Sequence, residues 1–109
     1  MKIIDFKKNY KKYFPVGEGW RKLVTKLVED IIKIDSTVEI IQIKEKFGTL
    51  RFYVNCGNDE IFDLIEKADQ ESGKTCESCG TKRNVTTEGR WVLTLCQKCR
   101  KERVKNENL

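Results

Sequence analysis

The residues with the clearest chemical potential are four cysteines set in two C-x-x-C pairs. Cys76 and Cys79 form the first, Cys96 and Cys99 the second, with sixteen residues between the inner two. Thiolates are soft ligands, and four of them complete the tetrahedral shell that zinc prefers. Gly80 directly follows the first pair and lets the backbone turn tightly around an ion. A catalytic zinc keeps one coordination position open for water. Here all four positions are cysteine and the chain has no histidine. The expectation is therefore one structural Zn2+ per chain, held by Cys76, Cys79, Cys96 and Cys99.

The other reactive side chains form no catalytic constellation. Cys56 stands apart and has no histidine to activate it, so it reads as a small, partly buried thiol. The carboxylates Asp59, Glu60, Asp63, Glu66, Asp69 and Glu71 crowd one helical segment and read as its solvated face. Trp20 falls on an apolar stripe and is expected in the core. Trp91 opens a strand-like run beside the cysteines, where it can pack on the zinc module or stack on a base. There is no phosphate-binding glycine loop, no Ser-His-Asp set and no H-E-x-x-H motif. The absence of histidine also removes the usual general base of a zinc-supported nuclease. The chain is thus expected not to be an enzyme.

The elements that must position the cysteines follow from periodicity. Phe6, Tyr10, Tyr13 and Phe14 have helical spacing, which predicts a short helix laying four rings on the core, ended by Pro15. Trp20, Leu23, Val24, Leu27, Val28, Ile31 and Ile32 predict a long amphipathic helix over 19–35. The β-branched run TVEIIQIKEK and the alternating run TLRFYVNC predict a hairpin over 37–56, turning at Phe47-Gly48. Both strands carry apolar residues on each face, so both faces are expected to be partly covered. A second helix is predicted over 58–72, capped by Asn58, with Ile61, Leu64, Ile65 and Ala68 buried. After the first cysteine pair, WVLTL leads into Cys96, and RKERVKNENL after Cys99 is polar and compatible with a helix. Knuckle, hairpin, then a helix carrying the second pair is the order of a treble clef; a zinc ribbon is the alternative. The predicted fold is α+β: amphipathic helices packed on a β-hairpin, followed by a C-terminal four-cysteine zinc finger. It forms a single domain over 1–109, with a body at 1–73 and a zinc-binding module at 74–109.

Composition agrees with a small charged domain that gains stability from a metal. The 109 residues are 39% hydrophobic and 36% charged, and domains of this size are marginal on core burial alone. The formal charge is +5. Four bound thiolates contribute −4 and the ion +2, leaving +3. Residues 1–35 and 76–109 each have four more basic than acidic side chains, while 36–75 have an acidic excess of three. The opening residues contain no apolar leader, and no run of about 18 apolar residues exists to span a membrane. Cysteines used for metal in such a chain fit a reducing compartment, so a cytoplasmic location is expected.

The order GW, IKEKFGTLRFY, CESCG and TLCQKC, spread over roughly residues 19–99, resembles a family of small, mostly uncharacterised proteins of bacterial and phage genomes. That resemblance implies a cytoplasmic zinc-binding protein, often on mobile elements, and brings no activity with it. Taken together, these features predict a non-enzymatic module that binds a protein partner, such as a phage or mobile-element inhibitor or adaptor acting on a host or toxin protein. The alternative is a nucleic-acid-binding protein using the basic tail and the lysine-rich start. The candidate partner-binding residues are Lys82, Arg83, Arg90, Trp91, Lys98, Arg100, Lys101 and Arg103. Nucleic-acid binding through them is expected to be weak and nonspecific, because on a helix the charges of the tail spread around its circumference.

Overall fold

The computed structural model describes residues 1–89 and 92–107, the last four of these by backbone alone. Among the described residues the fold is α+β, with four α-helices and two small antiparallel sheets. In chain order these are α1 (Phe6–Asn9), α2 (Arg21–Ile34), β1 (Ile40–Lys46), β2 (Thr49–Val54), α3 (Asp59–Ser72), β3 (Val85–Glu88), β4 (Leu93–Cys96) and α4 (Gln97–Glu107). Among the described residues, no helix is long and apolar enough to cross a membrane.

The apolar stripe of α2 does most to form the core. Trp20, Val24, Leu27, Val28 and Ile31 are buried, and Leu23 and Ile32 flank them half-buried. They join Ile61 and Ala68 of α3 and the inward residues Ile40, Ile43, Leu50 and Phe52 of β1 and β2. Asn58 caps α3 as its sequence predicts, its side chain accepting from the Ile61 N–H at 2.9 Å. At the far end of α3, the buried Ser72 hydroxyl accepts from the Leu50 N–H at 2.8 Å and donates to the Asp69 carbonyl. One side chain thereby ties the end of the helix to β2.

The chain start differs from its predicted form. The helix stops at Asn9, and Phe6, Tyr10 and Phe14 meet as a ring cluster with centroids 5.2 to 6.5 Å apart. Tyr13 does not reach the core and is 82% exposed. The missing anchor is Ile3, which is fully buried. Its N–H donates to the Val38 carbonyl, and the Ile40 N–H donates to the Met1 carbonyl. The first residues thus lie against the entry to β1 as a fragment of a third strand.

The β1–β2 loop has two residues, since Lys46 pairs with Thr49. Both loop residues have positive φ, Phe47 at 52° and Gly48 at 82°. Such a turn matches the twist of the strands and usually recruits Asn-Gly or Gly-Gly. A bulky side chain at its first position is disfavoured by contact between its Cβ and the backbone.

Two stretches of the body grip the cysteine module. At the first, the Gly19 N–H donates to the Glu77 carbonyl at 2.9 Å, and the Trp20 indole N–H to the Thr75 carbonyl at 2.9 Å. A Cβ on Gly19 would lie 2.0 Å from the Cys76 carbonyl oxygen, and one on Gly17 2.1 Å from that of Glu77. Only glycine permits this approach. At the second, the Gly48 turn docks on the β3–β4 hairpin. Buried Thr94 donates its hydroxyl to the Gly48 carbonyl, and Thr87 and Thr94 share a hydrogen bond of 2.7 Å. The stretches GW and KEKFG, singled out above from the sequence, thus both contact the module, beside the Lys82–Glu71 ion pair.

Candidate metal centre

The four cysteines converge although they span positions 76 to 99 of the chain. Cys76 and Cys79 sit on a knuckle whose turn is closed by the Gly80 N–H donating to the Cys76 carbonyl at 2.9 Å. Gly80 has φ +84°, a conformation that glycine alone adopts without strain. Cys96 ends β4, and Cys99 lies in the first turn of α4. β3 and β4 pair in register from Val85–Cys96 to Glu88–Leu93, which brings the start of α4 back to the knuckle.

The sulfurs have the geometry of a four-ligand shell. All four Sγ atoms lie within 4.8 Å of one another, and those of Cys79 and Cys96 are 3.7 Å apart. Ligands at about 2.3 Å from a tetrahedral zinc stand about 3.8 Å from each other. Disulfide sulfurs would be about 2.0 Å apart, and all five cysteines are free thiols. Backbone amides support the cluster symmetrically: the Cys79 N–H points at the Cys76 sulfur at 3.5 Å, and the Cys99 N–H at the Cys96 sulfur at 3.4 Å. Such outer contacts orient ligands and stabilise their charge.

The thiol electrostatics favour a cation at the centre. Burial alone would raise the Cys76 thiol, but amide donors from the Cys96, Cys79 and Ser78 backbone outweigh it and bring its pKa down to about 7. Cys99 moves the other way, pushed up to about 12 by burial and by its neighbour Cys96. Closely spaced sulfurs cannot share several negative charges without a counter-ion. A divalent ion at the centre would supply that charge, and the all-sulfur donor set suits zinc. Cys76 and Cys96 are buried, Cys99 is half-buried and Cys79 is exposed.

The residues around this centre behave less uniformly than their charges foretell. Arg100 turns inward: its guanidinium donates to the carbonyls of Thr86 at 2.7 Å, Glu88 at 3.1 Å and Leu93 at 3.1 Å, clamping α4 to the β3–β4 hairpin. Lys82 forms an ion pair with Glu71 of α3. Arg83 is exposed, as are Lys98, Lys101 and Arg103 on α4. Arg103 stands near enough to Glu77 for its charge to favour that half-buried carboxylate, whose pKa is raised chiefly by burial. Arg90 and Trp91 lie outside the described residues. Cys56 is exposed, not partly buried, because it follows β2 in the loop before α3.

Sequence reasoning passed over Glu77 and Thr94. The Thr94 N–H donates to the Glu77 carboxylate at 3.2 Å, and the Glu77 N–H to the Thr94 carbonyl at 3.0 Å, so together they join knuckle to hairpin. A polar residue in the strand-like run WVLTL was the one available signal. Compared with protein-family models, with curated proteins and with solved structures, the chain matches none. Its chemistry is therefore read from its own geometry.

Proposed function

We propose that this chain is a non-enzymatic, zinc-stapled binding module that acts in the cytoplasm on a protein partner, as an inhibitor or adaptor of phage or mobile-element origin would. The observation that carries the non-catalytic reading is the closed sulfur cluster. Four thiolates leave a tetrahedral zinc no position for water or substrate, so the ion's work is to hold the knuckle, the β3–β4 hairpin and α4 together. The order of those three elements, with Cys99 in the first helical turn, supports a treble clef over a zinc ribbon.

A protein partner is favoured over nucleic acid gripped by the tail for reasons of charge placement. Arg100 is committed to backbone carbonyls and Lys82 to Glu71. Among the described side chains of α4, Lys98 and Lys101 lie near one side and Arg103 acts on Glu77, so the tail offers a short basic face, less than an extended phosphate backbone needs. Affinity purification of the tagged chain from its native host, with and without nuclease, tests this reading. The expected outcome is a protein complex that survives nuclease and changes little between about 50 and 200 mM salt, where phosphate-dominated contacts weaken by orders of magnitude. Co-purification that disappears with nuclease would overturn it.

A further inference from the structure

Beyond a protein partner, we infer that the outward face of the β1–β2 hairpin is a docking surface for single-stranded nucleic acid. The register fixes what that face carries. Gln42 pairs with Tyr53, Lys44 with Arg51 and Lys46 with Thr49. Paired residues share a face, as do alternate residues along a strand. These six side chains therefore point away from the core, while Ile43, Leu50 and Phe52 point into it. The face holds three cations, two neutral hydrogen-bonding groups and an aromatic ring, with no carboxylate among the six. Glu45, the acid within β1, belongs to the inward set and accepts from the Gly48 N–H. Arg51 is half-buried and ion-paired with Asp69 of α3 at 3.5 Å, which leaves Lys44 and Lys46 as the cations open to a phosphate.

Rings and cations are also paired locally. The Lys44 ammonium stands 5.8 Å from the Tyr53 ring centroid, and that of Lys46 stands 5.7 Å from the ring of Phe47 at the hairpin tip. Tyr53 is 44% and Phe47 67% exposed. An open ring beside an ammonium is the arrangement that stacks a splayed base while contacting its phosphate. Positions 42 and 46 are about 13 Å apart along the strand at about 3.3 Å per residue. A duplex hides its base faces, so the rings select a single strand. The surface differs from the tail of α4, whose cations lie on another element.

The test is fluorescence anisotropy with labelled oligo(dT) and oligo(U) of about 20 nucleotides, longer than the roughly 4–16 nucleotides that small single-strand-binding folds cover. The wild-type chain should bind both at about 50 mM salt, low enough to leave phosphate contacts unscreened. Tyr53→Leu should weaken binding by at least about fivefold, while Tyr53→Phe keeps it, because stacking needs the ring and not the hydroxyl. Lys44→Ala with Lys46→Ala should lower the slope of log affinity against log salt by roughly 1.4, the value for two phosphates of a single strand. Lys33→Ala with Lys67→Ala removes the same charge from α2 and α3 and should change little. Melting curves and zinc content establish that each variant is folded. Absence of wild-type binding, equal loss in the Lys33/Lys67 variant, insensitivity to Tyr53→Leu in a folded protein, or tighter binding of duplex than of single strand would each overturn the inference.

Discussion

Two side chains hold the cysteine module in place: Trp20 joins it to the body, and Arg100 fastens its helix α4 to its own β3–β4 hairpin. Trp20 is fully buried and its indole N–H reaches the Thr75 carbonyl, one residue before the first cysteine. Trp20→Ala should cost about 3–5 kcal/mol in urea denaturation. Trp20→Phe should cost less but not nothing, because it keeps most of the volume and leaves the Thr75 carbonyl unpaired. A Trp20→Ala protein of normal stability would mean that the α2 stripe is not the core. Arg100→Ala removes a cation shared by three carbonyls and should destabilise by about 1–3 kcal/mol. Faster amide exchange within β3 and β4 should accompany that loss. If stability is unchanged while partner binding is lost, Arg100 acts at the surface. The role of Trp20 was legible because its helical spacing matched the residues after it. That of Arg100 was not: its partners lie 7 to 14 residues away along a hairpin whose register the sequence does not reveal.

At the scale of elements, legibility followed the length of the repeating pattern. The α2 stripe repeats over three turns and α3 over two, and both helices were readable; of the α3 stripe, Ile61 and Ala68 are buried as expected while Leu64 and Ile65 are only half-buried. The first segment offered four rings and a proline, which are compatible with a longer helix than the one formed. The chain instead reaches Phe14 after leaving the helix at Asn9, and Tyr13 points outward. The β1–β2 turn was legible as a position but not as a strained one. Phe47 occupies a left-handed conformation that asparagine tolerates far better. Phe47→Asn should therefore stabilise the fold by about 0.5–1 kcal/mol, read as a higher urea midpoint with unchanged slope. A lower midpoint would show that the Phe47 ring contributes more to folding than its exposure indicates. Asn58, by contrast, follows capping rules that act locally, and its role could be read directly.

For the whole molecule, the body and the module meet at the Gly17–Trp20 stretch, at the Gly48 turn and at the Lys82–Glu71 ion pair. The sequence made the four sulfurs obvious but not this seam, which depends on glycines approaching a backbone from elsewhere in the chain. A metal held by the four sulfurs would accordingly support more than its own loops. A structural zinc contributes on the order of 10 kcal/mol of apparent binding energy in small fingers, comparable with the whole stability of a domain this size. Elemental analysis of protein purified in reducing buffer without added metal, run beside Cys79→Ser, decides whether the fold is built around such an ion. The wild-type chain should carry one zinc, and Cys79→Ser should lose the metal and melt far lower. A metal-free wild-type chain with its four cysteines joined in disulfides would contradict the zinc-centred fold.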